Sequence, residues 1–206
     1  SPRTQDSIVS QGELLSSLII SKAFESCHIP NLWADAREII RTDAAYGAAV
    51  IDQEKTQEAI RNYFNLNLAQ LYIVPGFIAS DSKGVTTTLG RGGSDYTAAI
   101  LAAATSAARL EIWTDVSGMM TADPRVVGNA RAIPFISYKE AMELSHFGAR
   151  VIYPPTIQPV MQKGIPLWIK NTFSPDDTGT LVESSVSENR NTVRGISSIG
   201  KISLIS

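Results

Sequence analysis

With 206 residues, 44% of them hydrophobic, and a net charge of −2, the chain can bury a substantial core in one domain or one domain plus a stub. So neutral a balance leaves no electrostatic footprint for nucleic acid or an anionic membrane, and neither partner is expected. The single Cys27 excludes an internal disulfide, no apolar run approaches a membrane span, and the opening Ser-Pro-Arg-Thr is no signal peptide, so a reducing cytoplasm is the expected compartment.

Ile8, Leu14, Leu15, Leu18, Ile19 and Phe24 recur at roughly helical spacing, which predicts one amphipathic helix over 8–28. Glu13 near its start reads either as a solvated first-turn carboxylate favoured by the helix dipole or as a functional group. Cys27 and His28 have no partner at metal-ligand spacing and read as structural. A short segment around Trp33 follows, then the apolar run 48–51, a helix over 53–64, and a strand over 71–74 that stops at Pro75-Gly76. Strands separated by helices predict a mostly parallel sheet covered on both faces, with ligands beyond the carboxyl ends of its strands. The loops after Val74 and Leu89 are therefore candidates for the site. Residues 80–84 predict a hairpin turn that brings Thr86, Thr87 and Thr88 back toward the sheet.

Residues 86–95, Thr-Thr-Thr-Leu-Gly-Arg-Gly-Gly-Ser-Asp, turn from a β-branched run through three glycines into an alanine-rich helix expected over 96–108. One reading is a tight corner with Ser94 as an ordinary N-cap. The other is an anion-handling loop: glycines admit a close ligand, and free N–H groups at a helix start, backed by the positive end of its dipole, stabilise a carboxylate or phosphate. Arg91 adds a planar two-pronged cation and Asp95 an anion able to orient an amine, so the loop suits a zwitterion. It is neither a dinucleotide fingerprint, nor a P-loop, nor a nucleophile elbow.

A strand over 110–116 ends on Thr114 and Asp115, and Arg125 follows in the next loop; this second polar cluster reads as a turn with an Asx cap or as part of a site. A helix over 137–144 leads through 146–150 to a second helix over 156–163, with His146 read as structural rather than as a base. A strand over 166–170, a small strand over 179–182 and a polar linker over 184–192 complete the pattern, and 195–206 alternates like the start of another domain.

Residues 88–96 (Thr-Leu-Gly-Arg-Gly-Gly-Ser-Asp-Tyr), Trp113-Thr114-Asp115-Val116, Asp123-Pro124-Arg125, residues 140–145 (Glu-Ala-Met-Glu-Leu-Ser) with Phe147-Gly148-Ala149, and Ile169-Lys170-Asn171-Thr172 stand in the order and spacing of the aspartokinases. From about Gln11 onward the chain resembles that family, most of all the kinase part of bifunctional aspartokinase/homoserine dehydrogenases. The resemblance implies an amino acid kinase fold, a three-layer αβα sandwich around a mostly parallel sheet. It also implies transfer of the γ-phosphoryl group of MgATP to the side-chain carboxylate of L-aspartate, the first step toward lysine, threonine and methionine. By position, Arg91 would clamp a substrate carboxylate, Gly93 and Ser94 would line that pocket, and Glu13 would meet the ammonium group. Asp95 would organise the cations around the transferring phosphoryl, with Arg150 where a phosphate-binding lysine is usual. Thr114, Asp115, Met120 and Arg125 would hold ATP, and Mg²⁺ would be carried mainly through the phosphates, with no dedicated protein metal site.

Three departures accompany the resemblance. The family's opening strand and loop, Lys-Phe-Gly-Gly-Thr-Ser, has no counterpart, Met120 stands where tyrosine is common, and Arg150 replaces lysine. The expectation is an N-terminally truncated and inactive piece of a longer enzyme, with a partial kinase domain over 1–183, a linker over 184–193 and the start of an ACT regulatory domain over 194–206. Sheet edges left open invite self-association, so a homo-oligomer is expected. A non-catalytic regulatory module of the same fold is the alternative.

Overall fold

The computed structural model describes residues 1–146, 151–184, 193, 195 and 196. Chain contacts divide it into two units, Ser1–Thr105 and Ser106–Ser206.

The first unit opens with α1 (Pro2–Ser26), which starts six residues before the predicted boundary. Ser1 accepts the Thr4 amide and Pro2 occupies the first turn, where its missing N–H costs nothing. The apolar positions of α1 divide: Leu14 packs on the core and Phe24 is half-buried, but the most deeply buried residues are polar. Asp6, Ser10, Ser17 and Ser21 face inward, whereas Ile8, Leu15, Leu18 and Ile19 are exposed. The buried hydroxyls are satisfied: Ser10 and Ser17 donate to carbonyls one turn back, Ser17 accepts from Trp33 Nε1 at 2.9 Å, and Ser21 donates to Asn31 Oδ1 at 2.7 Å.

Behind α1 come β1 (Leu32–Trp33), α2 (Ala36–Ile39), α3 (Gln53–Leu66), β2 (Tyr72–Ile73), β3 (Ile78–Ser80), β4 (Thr86–Thr88) and α4 (Gly93–Ala104). β1 pairs in parallel with β2, and β3 pairs antiparallel with β4 through the predicted hairpin. Asp81 closes that turn by accepting the amides of Lys83 and Val85. Residues 48–51 make only one bridge, Ile51 to Thr42, because Asp43 Oδ1 draws the amides of Ala45 and Val50 into a loop. The core of this unit is aliphatic, built on Ile39, Ile40, Ile60, Ile78, Leu89 and Ile100.

The second unit holds β5 (Leu110–Thr114), β6 (Phe135–Ser137), α5 (Tyr138–His146), a 3₁₀ turn (Pro154–Thr156), α6 (Ile157–Lys163), β7 (Leu167–Asn171) and β8 (Thr180–Glu183). Its sheet runs β5-β7-β8-β6, parallel at both outer pairings and antiparallel at β7–β8. β5 stops two residues short of its predicted end, and Thr172 donates its amide to Thr114 O where β5 and β7 part. Ser137 and Glu140 form a reciprocal capping box at the start of α5. Ile112, Ile136, Ile157, Leu167, Ile169 and Val182 fill the core. The Ile196 amide bonds to Thr121 O at 2.8 Å; apart from Gly195 and Ile196 the expected ACT segment, like residues 185–192 of the linker and Arg150, lies outside the described residues.

Candidate active site

In the first unit, the two loops expected at the site meet. A Cβ on Gly76 would fall 2.8 Å from Ser94 Cα, and one on Gly93 would fall 2.9 Å from Leu89 Cβ and 3.0 Å from the Phe77 ring, so two glycines let the 75–77 loop press on the start of α4. Phe77 O accepts the Leu89 amide and Thr97 Oγ1 accepts the Phe77 amide, which fixes the loops to each other. The helix cap is Gly92, not Ser94: at φ +71 it takes the left-handed conformation and supplies no side-chain acceptor. The Ser94 hydroxyl is thereby left exposed rather than tied into a cap. Arg91, at the tip, is exposed and its guanidinium enters none of the ion pairs among the described residues. Asp95, in the first turn of α4, is half-buried, and that burial pushes its carboxyl above the ordinary value.

A residue the sequence did not single out holds this corner. Asp6 is 1% exposed; its Oδ2 accepts the amides of Gly47 at 2.9 Å and Thr88 at 3.1 Å, and its Oδ1 accepts the Thr88 hydroxyl at 2.9 Å. The last residue of β4, just before the glycine-rich turn, is thus pinned to the first turns of α1. Glu13, two turns further along α1, is half-buried on the same inward side as Asp6, Ser10 and Ser17. The recurrence of Asp6, Ser10, Glu13 and Ser17 at helical spacing was the available signal.

In the second unit, the carboxyl ends of the adjacent parallel strands β5 and β7 gather Thr114, Asp115, Ser117, Asn171 and Thr172. The Thr114 hydroxyl donates to Asp115 Oδ1 at 3.2 Å, and Asn171 Nδ2 donates to Ser117 Oγ at 3.0 Å. Gly118, at φ +108, passes so close to β8 that a Cβ there would fall 2.3 Å from Thr180 Oγ1. Fully buried Thr180 accepts the Met119 amide at 2.8 Å and donates to Ile133 O at 2.6 Å, a second lock absent from the sequence reading. Met120, next in the chain, is half-buried and bridges Ala132. Arg125 is paired to Asp123 at 2.8 Å and points its exposed guanidinium from that loop; the pairing holds Asp123 below, and Arg125 above, its ordinary pKa.

A helix start capped by glycine, an exposed arginine that pairs with no acid among the described residues, and polar side chains at parallel strand ends suit a small anion and a nucleotide. Comparison with known proteins then decides the kinship: the profile of the amino acid kinase family matches residues 2–171. The chain belongs to the amino acid kinase family. Among relatives within it, lysine-sensitive aspartokinase 3 of Escherichia coli is 44% identical over 184 residues, 88% of this chain and 41% of that protein. The bifunctional aspartokinase/homoserine dehydrogenase of Buchnera aphidicola is 38% identical over 198 residues, 96% of this chain and 24% of that protein. The crystal structure of E. coli aspartokinase III in complex with aspartate and ADP superposes with a TM-score of 0.84 at 42% identity, over 92% of this chain and 42% of that one. This chain therefore has the amino acid kinase fold and spans less than half the length of these aspartokinases.

Proposed function

We propose that this chain carries part of an aspartate kinase, which moves the γ-phosphoryl group of MgATP to the side-chain carboxylate of L-aspartate and yields 4-phospho-L-aspartate and ADP. The observation that carries the reading is the unpaired Arg91 at the tip of the loop, beside a helix start that glycine caps and that leaves Ser94 exposed. Arg91 receives a substrate carboxylate as a two-bond fork, Gly93 and Ser94 line its pocket, and Glu13 meets the ammonium group. The E. coli relative solved with aspartate and ADP supports that assignment of substrates.

Chemically, an aspartate carboxylate oxygen forms a bond to the γ-phosphorus while the bond to the β,γ-bridging oxygen breaks and ADP leaves. The nucleophile is already ionised at neutral pH, so no general base is needed. Alignment and neutralisation of charge on the phosphate oxygens do the catalytic work. Thr114, Asp115, Met120 and Arg125 hold the nucleotide, Asp95 orders the cations around the transferring group, and Arg150, by its position in the sequence, is assigned to the phosphates. Mg²⁺ is taken to arrive on the phosphates as part of the substrate. Residues 1–183 are assigned to the kinase domain and 194–206 to the beginning of an ACT domain.

The test is hydroxylamine trapping in the complete polypeptide that contains this chain. Aspartate-dependent formation of aspartyl hydroxamate with matching release of ADP is expected. Nucleotide and aspartate binding without hydroxamate would instead assign a non-catalytic regulatory module.

A further inference from the structure

The backbone of one residue reaches both ends of the glycine-rich turn. The Phe77 carbonyl accepts the amide of Leu89, the last residue before the turn. The Phe77 amide donates to Thr97 Oγ1 at 3.2 Å, and the Thr97 hydroxyl donates at 2.9 Å to the carbonyl of Gly93, the first residue after it. Thr97 is 2% exposed and lies one turn along α4 from Gly93. A helical threonine commonly donates to the carbonyl four residues back, but the helix does not require its oxygen to accept an amide from another segment as well. Phe77 is itself strained. Its φ of +70 is left-handed, and the Ile78 amide reaches back to Gly76 O at 2.8 Å, so residues 76–78 form the rare kind of γ-turn. A bulky residue keeps that conformation only where its surroundings impose it. Here the Thr97 hydroxyl, the Leu89 amide and the close approach of Gly93 do so.

We propose that Thr97 is a positioning residue for the substrate carboxylate: by holding Phe77 in its strained turn it fixes the spacing of Leu89 and Gly93, and so aims Arg91, which stands between them. The inference rests on the assignment of Arg91 to aspartate. Within the turn, Gly90 and Gly92 are both left-handed, and one bond, from the Gly93 amide to Gly90 O, closes it. Two glycines leave such a segment easy to bend, and the Arg91 guanidinium enters no ion pair among the described residues. The direction of this arginine therefore depends on where the two ends of the turn are pinned, and a fork that must meet a carboxylate with both prongs tolerates little misdirection. Every atom of the bridge belongs to the first unit, and the polar cluster at the ends of β5 and β7 shares none of its residues.

Steady-state hydroxamate formation by the complete polypeptide, with aspartate and ATP varied in turn, tests this. Thr97→Val keeps the shape and removes both hydrogen bonds; it is expected to raise the aspartate KM more than about tenfold while the ATP KM stays within about twofold. Thr97→Ser restores the hydroxyl and is expected to recover most of that loss. Combining T97V with Arg91→Lys gives a readout that lost packing would not move: because both changes act on one contact, the double variant is expected to lose far less than the product of the single losses. Should T97V not fold, Thr97→Cys takes its place, since it differs from T97S by one atom and accepts a hydrogen bond only weakly. An aspartate KM for T97V within about twofold of wild type overturns the inference. So does a rise in both KM values that serine does not relieve, and so do losses that multiply with those of R91K. A wild type that forms no hydroxamate strikes the kinase reading instead. Calorimetric titration of the same variants with aspartate then decides the role of Thr97, and equal affinities overturn it.

Discussion

Asp6 and Thr88 stand eighty-two residues apart in the chain and are joined twice, Oδ1 accepting the threonine hydroxyl at 2.9 Å and Oδ2 its amide at 3.1 Å. Because Oδ2 also takes the Gly47 amide, one buried carboxylate ties a helix, a loop and the strand that feeds the glycine-rich turn. Truncating it to alanine would strand two buried donors, the amide and the hydroxyl of Thr88, and would leave the exposed Gly47 amide to water.

Asp6→Ala is therefore expected to cost about 2 kcal/mol or more in urea unfolding, since each buried group left unpaired loses about 1–3 kcal/mol. It should also loosen the turn, weakening aspartate binding along with stability. A stability change within about 0.5 kcal/mol, typical of a neutral surface site, would remove Asp6 from its structural role.

Arg91→Lys keeps the charge but not the fork. In the complete enzyme it is expected to raise the aspartate KM roughly thirtyfold, about 2 kcal/mol, with the ATP KM nearly unchanged. Steady-state kinetics with each substrate varied in turn checks this, and an unchanged aspartate KM would take Arg91 out of the pocket.

Thr180→Val preserves shape but deletes a hydroxyl that accepts the Met119 amide and donates to Ile133 O. Both partners become unsatisfied in the core, for a loss of roughly 2–4 kcal/mol. The loop over 115–120 should slacken, so fluorescent-nucleotide titration is expected to report weaker binding than wild type. Unaltered stability and affinity would mean that the loop does not depend on this lock.

Asp95 gives a prediction with a definite sign. Burial raises its carboxyl above the ordinary value of 3.8, so the folded chain binds the proton more tightly than the unfolded one, and ionisation of this group costs stability at neutral pH. That cost disappears as the pH falls through the raised value to below the ordinary one. Asp95→Asn is thus expected to have a higher Tm than wild type at pH 7, with the advantage gone by about pH 3, while kinase turnover in the complete enzyme falls. A variant less stable than wild type at pH 7 would show that the ionised carboxylate has a favourable partner in the folded chain.

Much of this was legible because it is local. The αβ alternation, the Ser80-to-Gly84 turn and the glycine-rich corner all rest on residue types whose backbone preferences act within a few positions. Of the two readings of Ser94, the capping one rested on a serine before a helical run, which is the usual signal. Gly92 took the place because a left-handed residue was needed to turn the chain, leaving the serine exposed.

The sequence by itself determined the class of fold, the family motifs and the residue types offered to a zwitterion and a nucleotide, since these follow from short-range periodicity and spacing. Only the tertiary structure decided which side of α1 is buried. The apolar spacing marks α1 as an amphipathic helix without saying which side faces in, whereas Thr88, Gly47, Trp33 and Asn31 offer polar partners to Asp6, Ser17 and Ser21 and satisfy the hydrogen bonds of that side. Likewise Thr180 and Gly118 meet across sixty-two positions through the order of the β5-β7-β8-β6 sheet. A pairing of that kind has no local signature, because it arises from strand order rather than from the residues on either side.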